Sequence, residues 1–158
     1  MQKTIRRPDV QHPSLSYRLT FQIGQMDLVA IHDYLTCSYW SKGIPFSVVE
    51  KAFSNSIAIG LITKDGETVG AARMVTDGAT FAYLADVYIL EAHRGKRLAP
   101  WMVGALMDHP ELQGLRRIML ATSDMHPLYR KFGFKSLDKP EIMMEIVQPD
   151  IYLTDEEK

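Results

Sequence analysis

The chain has 158 residues, 46% of them hydrophobic, and its 18 basic and 19 acidic residues leave a net charge of -1. That length and apolar content fit one domain with a real core, and the balanced charge excludes a global field drawing the protein to nucleic acid or an anionic membrane. No apolar run approaches the roughly eighteen residues needed to span a bilayer, and the single cysteine, Cys37, excludes an internal disulfide or a thiolate zinc site within one chain. Any anion site must be local.

The opening, MQKTIRRPDVQHPSLS, is polar and punctuated by proline, with no apolar signal core, so a cytoplasmic location is expected. Residues 1–15 read as a flexible lead-in, 16–148 as a single domain and 149–158 as an acidic tail. YRLTFQIG alternates as a first strand. In MDLVAIHDYL, Leu28, Ile31 and Leu35 fall at helical spacing, with Asp27 placed to cap the start. A second helix follows around FSVVEKAF. In the loop between them, Tyr39 and Trp40 either anchor the chain to the core or line a ligand cleft.

SIAIGLIT, ETVGAARMVT and TFAYLADVYIL read as three strands joined by two Asp-Gly turns, an antiparallel meander. Arg73, in the middle strand, either grips a substrate carboxylate or lies on an open sheet face. Asp86 sits in an otherwise apolar strand, so it must find partners or face a cleft. A helix is predicted from about Leu98 to His109, apolar nearly all round, with Pro100 tolerated in its first turn. RRIMLAT then gives a short buried strand, parallel to the preceding one through a right-handed crossover. SDMHPLYRKFGF gives a short helix capped by Ser123 or Asp124 and stopped at Gly133, and KPEIMMEIV is expected to close the sheet as a last strand. The fold class is α+β: a mixed, mostly antiparallel sheet with one parallel crossover and helices on both faces.

Between Leu90 and Leu98 a strand ends, a basic turn follows and a buried helix starts. The free N–H groups of such a helix start form an anion-binding geometry, to which Arg94, Gly95, Lys96 and Arg97 would add charge and a close backbone approach. Taken alone, RGKR reads more simply as a solvated basic turn. Neither a dinucleotide GxGxxG nor a P-loop ending is present. His12, His32, His93 and His109 show no metal-ligand spacing, and no metal requirement is expected.

FAYLADVYILEAHRGKRLAPWMVGALM and RRIMLATSDMHPLYRKFGF together resemble the two signature segments of the GNAT superfamily of acyl-CoA-dependent N-acyltransferases, in the right order and at the right separation. The resemblance is strong from Phe81 to Ile146. The family's loop pattern, Arg/Gln-x-x-Gly-x-Gly/Ala, maps onto Arg94, Gly95, Lys96, Arg97, Leu98 and Ala99, with Arg97 standing where the family usually has glycine. The resemblance implies acetyl-CoA as co-substrate, with the pantetheine arm bonded to the backbone of Val87 and Ile89, and coenzyme contacts from Tyr88, Thr122 and His126. It implies Tyr129 as the acid that protonates the departing thiolate, and Asp86, with Glu91 as a further candidate, as the base. Tyr39, Trp40 and Arg73 are the candidates for acceptor contacts. A small-molecule amine acceptor is expected, with no nucleic-acid or membrane partner, and a homodimer is left open. An acyl-CoA-binding sensor without turnover is the competing reading.

Overall fold

The computed structural model describes residues 6–158. Its strands are β1 (Val10–Gln11), β2 (Tyr17–Thr20), β3 (Ile57–Thr63), β4 (Thr68–Thr76), β5 (Phe81–Ile89) and β6 (Arg117–Leu120). Its α-helices are α1 (Leu28–Leu35), α2 (Phe46–Ser54), α3 (Leu98–Met107) and α4 (His126–Arg130). The strands form one six-stranded sheet in chain order, antiparallel throughout except for β5 and β6, which run parallel across the α3 crossover.

Local chemistry accounts for most of these elements. The carboxylate of Asp27 accepts hydrogen bonds from the N–H groups of Val29 and Ala30 at 3.0 and 3.1 Å, satisfying two orphan donors at the start of α1. Gly66 and Gly78, the second members of the two Asp-Gly pairs, have φ of 87° and 70°, which hairpin turns require and a side chain disfavours. At the second turn, Asp77 accepts from the N–H groups of Ala79, Thr80 and Phe81 and from the Thr80 hydroxyl, and these bonds hold its carboxyl well below the usual carboxylate range.

Alternation along the strands feeds a core on each face of the sheet. Ile59, Leu61, Ala72, Met74 and Leu84 pack with α3 residues Leu98, Met102 and Leu106. Ala58, Ala71 and Tyr88 point the other way and pack with Ile31, Leu35, Val49 and Phe53 of α1 and α2. Helices therefore cover both faces.

Three expectations are corrected. Of the lead-in 1–15, residues 1–5 lie outside the described residues, and the described part is tied to the domain: Arg7 donates to the carbonyl of Ala105 at 2.9 Å, Asp9 pairs with Arg18 at 2.7 Å, and Val10–Gln11 joins the sheet. No side chain caps α4; its N-cap residue is Met125, whose N–H is taken by Thr122 Oγ1 at 3.0 Å. The last predicted strand is not in the sheet. Pro140 starts a 3-10 turn through Ile142, no strand follows it, and Met144 and Ile146 beyond it are 96% and 97% exposed. The acidic end folds back, with Tyr152 partly buried against the α1–α2 cluster.

Removing the Asp27 cap by Asp27→Ala should lower stability by about 1 kcal/mol, read as a lower urea midpoint with an unchanged slope.

Candidate active site

Strand β5 pairs with β6 only from Phe81 to Leu84. Beyond Leu84 the two part, and a cleft of about 1490 Å³ opens between them. One wall is Leu84–Leu90, the other Leu120–Met125; the loop into α3 closes one end, and the α1–α2 loop flanks the other. The Leu90 N–H donates to the Val69 carbonyl of β4 at 2.8 Å. By strand alternation, Val87 and Ile89 direct their backbone groups to the opposite edge, into the cleft. Such groups need partners, and an extended ligand with amides spaced like a peptide can supply them.

A bulge shapes this wall. Ala71 faces Tyr88 while Arg73 faces Ala85, so β5 carries one extra residue there, and Asp86 takes a left-handed conformation at φ 56°. The bulge aims Asp86 at Arg73, whose Nε donates to Oδ2 at 2.6 Å, while Trp40 Nε1 donates to Oδ1 at 2.9 Å. The sequence treated Arg73 and Asp86 separately; the structure makes them one ion pair. Arg73 also donates to Ser56 Oγ at 3.2 Å, so its guanidinium is engaged on two sides.

At the loop end, Gly95 and Arg97 have φ of 78° and 59°. Arg97 is the residue before α3, and no side chain caps that helix, so the N–H groups of Leu98 and Ala99 are left for a ligand. Arg94 lines the cleft and clamps the loop to the strand end, donating from Nε to the Ile89 carbonyl at 2.8 Å. Lys96 does not line the cleft. Its ammonium turns back to the Tyr17 hydroxyl at 3.2 Å and lies over that ring.

Tyr129 of α4 is 8% exposed and lines the opposite wall. Burial, with smaller contributions from Tyr39 and Asp124, pushes its phenol up to about 12, so at neutral pH it is a proton donor. Gly133 at φ 90° ends the helix as expected, letting the Phe134 N–H bond the Tyr129 carbonyl at 3.3 Å. Tyr39 and Trp40 line the cleft rather than the core, and Tyr39 OH bonds Ser123 Oγ at 2.9 Å across its mouth. Thr122 lines the cleft as well; His126 is exposed on α4 and does not.

Sequence reasoning missed Tyr34, which stacks on Tyr88 with ring centroids 3.9 Å apart, and His93, whose Nδ1 is 2.7 Å from the Tyr17 hydroxyl. Tyr34 lies on α1 near the apolar positions and reads as core, and nothing local distinguishes it. The Tyr88 hydroxyl is buried with no hydrogen-bond partner, and burial pushes its phenol up. Among the described residues no cluster of three or more His, Cys, Asp or Glu could hold a metal ion, and no helix is long and apolar enough to cross a membrane.

The sequence model of the acetyltransferase (GNAT) family matches residues 28–134, more than half of the chain. The chain belongs to this family. A GNAT-family protein of Xanthomonas campestris pv. campestris is 40% identical, and its crystal structure superposes with a TM-score of 0.85 over 87% of this chain and 97% of that one. A Gibberella zeae protein, named provisionally as an acetyltransferase, is 37% identical over 118 residues, 61% of this chain and 66% of that relative, so the chain spans just under two thirds of its length. A Clostridium acetobutylicum protein crystallised with acetyl-CoA shares the fold at 18% identity, with a TM-score of 0.60 over 83% of this chain and 94% of that one. The GNAT assignment covers β5, the loop and α4, the elements that build the cleft.

A left-handed arginine costs about 1–2 kcal/mol that glycine avoids, so Arg97→Gly should raise stability while changing the acetyl-CoA dissociation constant by about threefold or less. Arg94→Ala removes a charge and the clamp on Ile89, and should weaken binding on the order of tenfold. Calorimetric titration of both variants checks the order of the two effects.

Proposed function

We propose that the protein is an N-acetyltransferase that moves the acetyl group of acetyl-CoA to the primary amine of a small molecule. The observation that carries this reading is the continuity of one surface: the free edge of β5 leads directly into an uncapped helix start flanked by Gly95 and Arg97. An amide-bearing arm fits the edge, with the N–H groups of Val87 and Ile89 and the carbonyl of Val87 as its partners. The pyrophosphate fits the helix start, with Arg94 and Arg97 supplying charge. The residues present thus suit the coenzyme.

The acceptor enters beside Trp40, Tyr39 and Asp86. The Asp86 carboxylate accepts one hydrogen bond on each oxygen and retains lone pairs for an ammonium group. The amine nitrogen bonds to the thioester carbonyl carbon, the carbon–sulfur bond breaks, and Tyr129 gives its proton to the sulfur. Asp86 takes the first of the ammonium's protons before this attack, directly or through water; the second, lost as the amide forms, goes to the Tyr129 phenolate, and Asp86 returns its proton to solvent. Arg73 acts by fixing Asp86.

Thiol release across a panel of small amines tests this. Tyr129→Phe should lower kcat by about 10²-fold or more while leaving the acetyl-CoA dissociation constant within about twofold. A phenol raised to about 12 stays protonated until pH climbs through that value, so the wild-type rate should show no alkaline fall below about pH 10. Coenzyme binding with no turnover on any amine would sink the proposal and favour a sensor.

A further inference from the structure

On the sheet face that carries α1 and α2, the helical cover reaches Arg73, whose guanidinium lies over the Phe53 ring at 6.0 Å and bonds Ser56. Two residues further along β4, on the same face, Val75 is 42% exposed. It faces Tyr83 of β5, which is 37% exposed, and Tyr83 in turn faces Met119 of β6. The other face of these strands is packed, with Met74 and Leu84 against α3. Single exposed hydrophobic residues need no explanation, but an apolar row in register across three strands does.

This shelf runs into the cleft. Tyr83 belongs to both, and Ala85, with only a methyl group, is the next residue on that face before Asp86. Trp40 and Tyr39 line the cleft at the junction, with their rings edge to face at 5.1 Å and the Trp40 indole bonded to Asp86. Charge here is decided by pairing. Arg73 is engaged by the Asp86 carboxylate and by Ser56, so its charge is already balanced and it does not stand free to grip a substrate carboxylate. Asp124, beside the Ser123 that Tyr39 bonds, and Asp33 of α1 also line the cleft and are acidic, while Arg94 and Arg97 lie at the loop end. Arg117 stands opposite Phe81, four residues down β5 from Ala85, which is roughly 13 Å along the strand.

We propose that the acceptor is a primary amine with an apolar body and no carboxylate. Its nitrogen sits at Asp86, and its alkyl or aromatic body passes Trp40 onto the shelf of Val75, Tyr83 and Met119. The inference rests on the acetyl-transfer reading and names the acceptor class for it. An amino acid is refused because its carboxylate would lie beside the reacting nitrogen, next to Asp86 and Asp124, with no free cation to receive it. The shelf selects by the apolar area it removes from water, so each methylene laid on it strengthens binding by up to about fourfold.

Steady-state rates on a matched set of amines test it. Hexylamine and phenethylamine should each have a kcat/KM on the order of tenfold or more above that of ethylamine, which lacks the body. They should exceed 6-aminohexanoate and phenylalanine, which add a carboxylate, by a similar factor. Val75→Asn and Tyr83→Ser, on separate strands, should each lower the ratio of hexylamine to ethylamine kcat/KM by about threefold or more. The acetyl-CoA dissociation constant should stay within about twofold in both, which establishes that they are folded. Equal kcat/KM across the set, or a preference for the carboxylate-bearing amines, would overturn the acceptor class and leave acetyl transfer standing. So would a hexylamine preference that neither variant reduces, the result expected if another copy of the chain covers the shelf. Coenzyme binding with no turnover of any amine would overturn both readings.

Discussion

Strand β5 keeps its neighbour on one side and loses it on the other. Through Leu84 it is hydrogen-bonded to β4 and β6; from Ala85 onward only β4 remains, and even that ladder is interrupted by the bulge. Backbone polar groups deprived of a partner must find water or a ligand, so this half-strand creates a demand that the cleft is shaped to meet. The bulge adds to the effect by increasing the local twist of β5 and turning it away from the four-residue β6. The loop, α3 and α4 are arranged around that gap. Closing it with a longer β6 would leave a better sheet and no site.

Strain is concentrated at the same place. The two non-glycine residues with positive φ among the described residues, Asp86 and Arg97, lie at the two ends of the free edge. Each conformation costs about 1–3 kcal/mol and persists only where the surroundings over-determine it. For Asp86 the determinants are visible: a guanidinium on one oxygen and an indole N–H on the other. For Arg97 they are the packed start of α3, where Leu98 is 2% exposed, and the loop clamped upstream by Arg94. On the proposed function, a protein of nearly neutral charge builds its anion site out of backbone geometry, with side-chain charge as a supplement.

What the sequence disclosed was what local physics decides. The Asp-Gly turns, the Asp27 cap, the apolar period of α3 and the glycine stop of α4 each depend on a few consecutive residues, and each was found where expected. The signature segments added Tyr129 and the loop. The pairing of Arg73 with Asp86 was not legible, because these residues are thirteen apart and meet only through the register of a bulge. The direction of Lys96 was not legible for a related reason: it is set by Tyr17, on a strand far away in sequence. The run at 143–147 has a strand's composition, but composition does not decide pairing, and the residues after the turn at Pro140 stay outside the sheet.

The acceptor end of the cleft joins these elements mechanically. Tyr39 bonds Ser123 and Trp40 bonds Asp86, so one loop between α1 and α2 touches both walls. Ser123 lies three residues ahead of α4, the helix that carries Tyr129, and the Thr122 hydroxyl holds the Met125 N–H where that helix begins. A ligand that separates Tyr39 from Ser123 therefore acts on the segment that orients the proposed acid, and one that separates Trp40 from Asp86 removes a donor from the proposed base. Tyr39 and Trp40 are both exposed, so each can exchange its bond for ligand contacts, while the Asp86 carboxylate they flank stays 10% exposed. On the proposed function, acceptor recognition and the positioning of both proton-transfer groups pass through the same two aromatic side chains. Because the Asp86 carboxylate is held on its other side by Arg73, losing Trp40 to a substrate would leave it oriented, and the amine would meet a carboxylate already in place.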